Sequence, residues 1–277
     1  MIHLRSVTRP EHKKLPDEFP YSVHVIRDLS RLDFTADVTF FVGENGSGKS
    51  TLLEAIGCAA RLPTIGSEGT DIDPTLAAMR KLANALKWEW TKRATRGFFM
   101  RSEDFFGYAK RISKLRDELR DEMQSLSDSF AERGKTARAL ATMPYQRELA
   151  ALQDSYGDGL DAQSHGESYF KLFRARFVPD GLYLLDEPEA PLSPTRQLAL
   201  MASMHEMVTA HRAQFIIATH SPILLAYPGA SILSFDNGEI APAKYDNLEH
   251  VIVTRTFLNN PAAYLSRLFA PDEPSSP

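Results

Sequence analysis

The sequence predicts an α/β fold in which a mostly parallel sheet is flanked by helices, and three strand-like segments predict it. Residues 38–42, 182–185 and 214–218 form runs without a charged residue. Continuous runs of this kind are typical of parallel strands that helices cover on both faces. Polar residues follow each run, as expected where the carboxyl ends of parallel strands meet at a ligand site.

The first run leads directly into a glycine-rich loop. The loop comprises Gly43, Glu44, Asn45, Gly46, Ser47, Gly48, Lys49, Ser50 and Thr51. Its glycines allow successive N–H groups to curl around an anion, and the N-terminus of the following helix adds partial positive charge. Lys49 is predicted to reach the β- and γ-phosphates, and the Ser50 hydroxyl to complete the coordination of Mg²⁺. The strand–loop–helix context favours nucleotide binding over a glycine-rich turn with an incidental lysine.

The second run ends in two carboxylates, Asp186 and Glu187. A carboxylate at the tip of a buried parallel strand suits the ligand crevice of an open sheet. Asp186 is predicted to hold Mg²⁺ directly or through water. Glu187 is predicted to orient and deprotonate the attacking water. Acidic pairs are common at strand ends, so this prediction depends on the presence of the phosphate loop in the same chain.

The third run ends in His220, which is followed by a helix-starting Ser221-Pro222. At the tip of a neighbouring strand an imidazole can reach a γ-phosphate, whereas a lone histidine is more often a satisfied polar residue. Between the second and third strands, Ser193 and Pro194 predict the start of a helix that runs to about residue 210. Strand, helix and strand form the crossover expected of a parallel sheet.

The remaining segments complete one domain over residues 1–277. We expect an extended lead-in at 1–20, a strand at 21–28, a helix at 75–88 and a strand with a turn at 97–106. A helical insertion is predicted at 104–160, with helices at 104–130 and 144–156 and a mobile segment at 131–143. A β-hairpin turns at 236–238, helices follow at 248–258 and 261–269, and the tail at 270–277 is predicted to be disordered.

Composition excludes several classes of protein. The 277 residues carry a net charge of −4 and a single cysteine, Cys58, so no global basic field indicates nucleic-acid binding and no internal disulfide is possible. The sequence predicts no membrane span and no signal peptide. We therefore expect a cytoplasmic location.

The order of these motifs resembles that of the ABC-type ATPases among the P-loop NTPases. The phosphate loop, a signature-like segment at 163–168, Leu-Leu-Asp-Glu-Pro and then Ala-Thr-His-Ser follow one another as in that class. The whole chain is similar to soluble AAA/ABC-like predicted ATPases related to the head domains of chromosome-maintenance and double-strand-break-repair ATPases. The resemblance implies ATP and Mg²⁺ as ligands and an ATP-dependent homodimer. In that dimer Ser164 and the backbone of Gly166 would contact the γ-phosphate held by the other copy, while a plain helix cap is the alternative for Ser164.

Two departures from the family pattern affect these expectations. In the signature, His165 replaces a glycine and Glu167 replaces a glutamine. The glutamine of the family's Q-loop has no clear counterpart, and Ser102 or Glu103 stands in its place. The adenine contact is also open, because four side chains in the relevant region could stack on a base or belong to the core: Tyr21, Arg27, Arg31 and Phe34.

The expected activity is ATP hydrolysis by a homodimer switch in DNA repair, genome maintenance or phage defence, with a protein effector or nucleic acid as a possible partner. The acidic net charge favours a protein partner. Two alternatives are a nucleotide-binding subunit of a membrane transporter and a regulatory ATPase that controls a separate effector nuclease. The altered signature and the missing Q-loop glutamine argue against coupling to a transporter.

Overall fold

A computed structural model describes residues 1–10, 15–65, 70–101, 104–130, 134–156, 173 and 176–269. The strands are β1 Leu4–Thr8, β2 Arg31–Asp33, β3 Val38–Val42, β4 Lys87–Trp90, β5 Gly97–Met100, β6 Leu182–Asp186, β7 Gln214–Ala218, β8 Ser231–Ser234 and β9 Ala241–Pro242. The helices are α1 His24–Arg27, α2 Lys49–Ala60, α3 Ala77–Ala85, α4 Asp104–Ser129, α5 Lys135–Tyr156, α6 Pro194–His211, α7 Pro222–Leu225, α8 Glu249–Asn259 and α9 Pro261–Leu268.

The main sheet has the order β5-β6-β7-β3-β8-β9. The first five strands pair in parallel, and β9 returns antiparallel to β8. The predicted fold class is therefore confirmed, and so is the hairpin that turns at residues 236–238. The strands β3, β6 and β7 are buried along their whole length, which explains why their sequences form continuous runs.

Helices cover both faces of this sheet, and alternate residues of each strand point to opposite layers. Phe41, Leu184 and Ile216 belong to one core, which they share with α2, α3 and the N-terminal strands. Phe40, Tyr183 and Phe215 belong to the other core, with α6, α7 and the start of α8. The sheet is the middle layer of the protein, and the carboxyl ends of its strands meet at one edge.

A smaller antiparallel sheet of order β2-β1-β4 corrects the prediction for the N-terminus. Residues 4–8 form β1 instead of an extended lead-in, and buried Gln214 ties this strand to β7 by accepting hydrogen bonds of 2.9 Å from the N–H groups of both His3 and Leu4. The strand predicted at 21–28 is wrong, because residues 24–27 form α1. The helix predicted to end at 88 ends at Ala85, and Lys87–Trp90 forms β4, which pairs with β1.

The predicted helical insertion contains the antiparallel pair α4 and α5, which we call the helical hairpin. The second helix begins at Lys135 rather than at Pro144, so most of the segment predicted to be mobile is helical and Pro144 lies inside the helix. Residues 194–211 and the two C-terminal helices form as predicted, although Ser193 makes no side-chain cap hydrogen bond. Among the helices that the structure describes, none combines the length and apolar character needed to cross a membrane.

Some predictions fall outside the described residues. They are the signature-like segment with Ser164 and Gly166, the Q-loop candidates Ser102 and Glu103, and the tail at 270–277.

Candidate nucleotide site

The register of the central strands brings the three motifs to one edge of the sheet. Ala218 of β7 lies beside Phe41 of β3 on one side and Asp186 of β6 on the other. The N–H of Glu187 donates a 2.9 Å hydrogen bond to the carbonyl of Ala218, and the N–H of Thr219 donates one of 3.2 Å to Phe41. The phosphate loop, the acidic pair and His220 therefore continue from adjacent strand ends, as the sequence predicts.

The phosphate loop has the backbone conformation that requires its glycines. Gly43, Gly46 and Gly48 have φ angles of 139°, 82° and 101°, which side-chain-bearing residues rarely adopt. At Gly48 an added Cβ would also lie only 2.6 Å from a methyl of Val25 and 2.7 Å from a methyl of Val23. The loop therefore depends on glycine at this position both for its conformation and for its contact with the segment around α1.

Lys49 is buried at the start of α2 and lies across the loop. Its ammonium donates hydrogen bonds of 2.6 Å to the carbonyl of Gly43 and 2.8 Å to that of Glu44. Burial lowers the pKa of Lys49, and the charges of Asp186, Glu187 and Asp236 act in the opposite direction. The position next to three carboxylates places the cation where it can bind the phosphates of a nucleotide.

The acidic pair occupies two different environments. Asp186 is buried at the end of β6, while Glu187 is half-buried and begins the following turn. Glu187 has a φ of 48°, the left-handed conformation that is uncommon for a residue with a long side chain. Such conformations persist where the surrounding structure enforces them, and they cluster at functional sites.

The backbone of His220 is held by Glu189, a residue that the sequence analysis did not identify. Its backbone N–H donates a 2.8 Å hydrogen bond to Glu189 Oε1, so the turn after β6 is tied to the turn after β7. The Ser221 hydroxyl accepts hydrogen bonds from the N–H groups of Ile223 and Leu224 and caps α7, as the Ser-Pro pair predicts. Glu189 lies two residues after the acidic pair and belongs to no recognised motif, so the sequence alone did not indicate its contact with His220.

Asp236, at the start of the hairpin turn, is a second missed residue. Its Oδ1 accepts a 3.1 Å hydrogen bond from the N–H of Glu44, and its Oδ2 accepts a 2.6 Å hydrogen bond from Ser234. It thereby holds the start of the phosphate loop against the end of β8. The sequence contains only a turn signal here, and the contact depends on the pairing of β8 with β3.

Two cavities adjoin the phosphate loop. One, of about 660 Å³, is bounded by loop residues 44–47, the turn at 235–238, and Val23 and His24. The other, of about 780 Å³, is bounded by loop residues 43–45, His220 and the N-terminal end of α8. Among the adenine candidates, Tyr21 and Phe34 are buried core residues, while Arg27 and Arg31 are engaged in exposed ion pairs.

The residues present fit a magnesium nucleotide. Mg²⁺ is usually bound by one or two protein oxygens together with substrate phosphates and water, rather than by a complete protein cage. Buried Asp186 at the strand end and the Ser50 hydroxyl at the start of α2 supply the oxygens that such a site needs.

Two family models match the chain at these motifs. A model described as "AAA domain" matches residues 21–60, which include the phosphate loop. A second, described as "AAA domain, putative AbiEii toxin, Type IV TA system", matches residues 164–226, which include the acidic pair and His220.

Two curated relatives extend the match along most of the chain. The lipoprotein-releasing system ATP-binding protein LolD of Bordetella avium is 25% identical, with 86% of this chain and 97% of the relative covered. The phosphonates import ATP-binding protein PhnC 2 of Haloquadratum walsbyi is 21% identical, with 79% of this chain and 73% of the relative covered. The two family models and these relatives support an ABC-type P-loop ATPase.

One similar solved structure is an inward-facing putative metal-chelate type ABC transporter. It is 15% identical, with a TM-score of 0.47 and coverage of 92% of this chain and 88% of that one. A dimeric post-hydrolysis state of an ATP-binding cassette bound to ADP and Pi has 16% identity and a TM-score of 0.43, with coverage of 90% and 100%. The relatives do not show the expected link to repair ATPases.

Proposed function

We propose that the chain hydrolyses Mg·ATP at the edge of the main sheet. The observation that carries the proposal is the alignment of Lys49, the pair Asp186–Glu187 and His220 at the ends of three adjacent parallel strands. A binding module needs a phosphate loop, whereas hydrolysis also needs a base for water and groups that stabilise the charge on the transferred phosphoryl group. The specificity for ATP over GTP rests on the likeness to ATP-binding relatives.

Each residue has a distinct proposed role. The N–H groups of residues 43–51 surround the phosphates, and Lys49 exchanges its contacts with two loop carbonyls for phosphate oxygens. Ser50 and Asp186 would hold Mg²⁺, which would neutralise phosphate charge. Glu187 accepts the proton of the attacking water, and His220 donates a hydrogen bond to the terminal phosphate.

We further propose that two copies of the chain close over ATP, with Ser164 and Gly166 of each copy contacting the nucleotide of the other. The match of the second family model begins at Ser164, which supports a functional role for this segment. A serine hydroxyl and helix-terminal N–H groups are suitable ligands for an anion. Because each site would then need both copies, a monomer would hydrolyse ATP slowly.

The molar mass of the Glu187→Gln variant in solution, with and without Mg·ATP, tests this dimer. Removing the base should trap ATP without removing its ligands, so the mass should double when Mg·ATP is added. The variant Glu187→Gln/Lys49→Ala is the matched control and should remain monomeric. A mass that does not change, in a sample shown to contain bound ATP, would exclude the ATP-dependent homodimer.

For the output of the cycle, we infer a membrane-embedded partner. The two curated relatives are ATP-binding proteins of an import system and a lipoprotein-releasing system, and the lipoprotein relative is matched over 97% of its length. The transporter-subunit alternative is therefore better supported than DNA repair, genome maintenance or phage defence. The toxin named by the second family model does not support an effector, because that match covers only residues 164–226.

A fractionation experiment tests the inferred partner. In cell extracts the tagged chain should sediment with membranes, remain there in 1 M salt and co-purify with an integral membrane protein after detergent extraction. Binding to DNA with an affinity that falls steeply with salt would instead support a nucleic-acid partner, since phosphate contacts release counterions. The cytoplasmic location expected from the sequence remains a prediction that the same fractionation examines.

A further inference from the structure

His250 lies at the phosphate loop although no motif marks it. It is the second residue of α8, and it borders the 780 Å³ cavity together with loop residues Gly43, Glu44 and Asn45. His220 borders the same cavity, and the centroids of the two imidazole rings are 6.0 Å apart. The cavity therefore has a histidine from the end of β7 and another from α8.

Both histidines present a buried nitrogen that needs a partner. Within the described residues, neither Nε2 of His220 nor Nε2 of His250 makes a hydrogen bond, although both atoms are shielded from solvent. Buried polar side-chain atoms are generally hydrogen-bonded, and each exception calls for a ligand, an ion or a water. Both residues border the cavity next to the phosphate loop, so a ligand with acceptor oxygens bound there can supply the missing partners.

Charged groups of both signs surround His250. Burial lowers the pKa of His250, and the neighbouring His220 and Lys49 lower it further, while Asp236 and Glu249 act in the opposite direction. The surroundings of His250 therefore combine His220 and Lys49 of the phosphate site with two carboxylates.

We propose that Nε2 of His250 donates a hydrogen bond to the terminal phosphate of the bound nucleoside triphosphate, beside His220. This inference rests on the proposed function, because it assigns an additional ligand to the same site. It predicts that α8 distinguishes a triphosphate from a diphosphate. It also gives a reason for the position of the histidine in the first turn of a helix, where N–H groups point toward an anion.

Equilibrium binding of Mg·ATP and Mg·ADP to the Glu187→Gln chain tests the proposal without relying on turnover. In that background His250→Ala should weaken ATP binding by about tenfold, the effect of losing a hydrogen bond to a charged group, and change ADP binding by less than about twofold. His250→Gln, whose amide can donate a hydrogen bond, should recover part of the ATP affinity. His205→Ala is the matched control, since His205 on α6 contacts Tyr227 and does not border either cavity at the loop.

The outcomes separate this inference from the proposed function. Equal weakening of ATP and ADP, or no weakening of either, overturns the role of His250 while ATP binding by the parent chain still supports the proposed function. Failure of the parent chain to bind either nucleotide overturns both. If His250→Ala does not fold, as judged by circular dichroism, His250→Phe, which keeps a ring but cannot donate a hydrogen bond, carries the comparison, and an unchanged ATP-to-ADP preference in that variant overturns the inference.

Discussion

The main sheet and the helical hairpin differ in how strongly their sequences are constrained. The strands β3, β6 and β7 are fully buried, and their ends carry the phosphate loop, the acidic pair and His220. The hairpin of α4 and α5 buries a few side chains, among them Ile112 and Leu119, and exposes charged residues together with Leu140, which is 62% accessible. The position of the site residues depends on the close packing of the buried strands. The hairpin is less constrained, because much of its described surface faces solvent.

The largest contrast should appear in stability. Phe215 is completely buried in β7, where its ring stacks on Tyr183 at 4.9 Å and meets Phe177 edge-on at 5.6 Å. Phe215→Ala should lower the free energy of unfolding by about 3–5 kcal/mol, because it leaves a cavity in a close-packed layer. Leu140→Ala in the hairpin should change it by less than about 0.5 kcal/mol. Urea denaturation of both variants measures the difference, and similar losses would show that the hairpin is as constrained as the sheet.

The second contrast concerns activity. Lys49→Ala should reduce the ATP hydrolysis rate by about 100- to 1,000-fold, the usual effect of removing a charge-stabilising donor from a pre-formed site. The control Lys114→Ala removes a lysine of the hairpin that is paired with Glu118 and largely exposed, and should leave the rate per site within about twofold, since exposed ion pairs contribute little. A phosphate-release assay compares the two variants. An equal loss of rate in both would show that Lys49 has no special role in hydrolysis.

Thiol reactivity offers a third contrast. Burial raises the pKa of Cys58, in α2, from 9.0 to about 11. At pH 8 this leaves about one hundredth of the thiolate that an unperturbed thiol would have, so alkylation should be about 100-fold slower in the native protein than after denaturation. A thiol introduced by Leu140→Cys on the hairpin should react at the denatured rate. Mass spectrometry of the alkylated chain follows both sites, and fast native labelling of Cys58 would show that α2 opens readily.

Two glycines give the smallest contrast. Gly48 and Gly134 both have positive φ, but a Cβ at Gly48 would collide with Val23 and Val25, whereas the described residues leave open space around a Cβ at Gly134. Gly48→Ala should cost about 1–3 kcal/mol from the forced backbone and the collision, and Gly134→Ala less because it carries only the conformational cost. Thermal unfolding with and without Mg·ATP compares them. Equal shifts would mean that the contact between the loop and α1 is not important.

Much of the nucleotide site could be predicted because each motif adjoins a strand that is buried on both faces. Burial on both faces forces a continuous apolar run, and the polar residues after such a run must lie at the edge of the sheet. The helix starts at Pro194, Pro222 and Pro261 were equally evident, because proline suits the first turn. Within the predicted insertion, the described residues 104–129 and 135–156 are helical as expected, but the predicted start of α5 was wrong because Pro144 was taken for its first residue.

The N-terminal elements could not be predicted in the same way. The strand β1 is short, and β4 follows directly on a helix, so neither shows a long periodic pattern. They are strands because β1 and β4 pair with each other and because Gln214 holds the start of β1. The segment at 21–28 has β-branched and aromatic residues, yet residues 24–27 form a helical turn. Val25 in this turn and Val23 just before it lie next to Gly48 of the phosphate loop. Tertiary contacts overrode the local preference.

The sequence by itself determined the fold class, the phosphate loop, the acidic pair and His220, because these depend on local motifs and on burial that repeats along a strand. Only the tertiary structure decided that Glu189, Asp236 and His250 join them. None of them belongs to a recognised sequence motif. Glu189 meets His220, and Asp236 and His250 lie at the phosphate loop, because of the order of β6, β7, β3 and β8 and the position of α8. Contacts between segments distant in sequence depend on how the elements pack, and local sequence patterns do not reveal that packing.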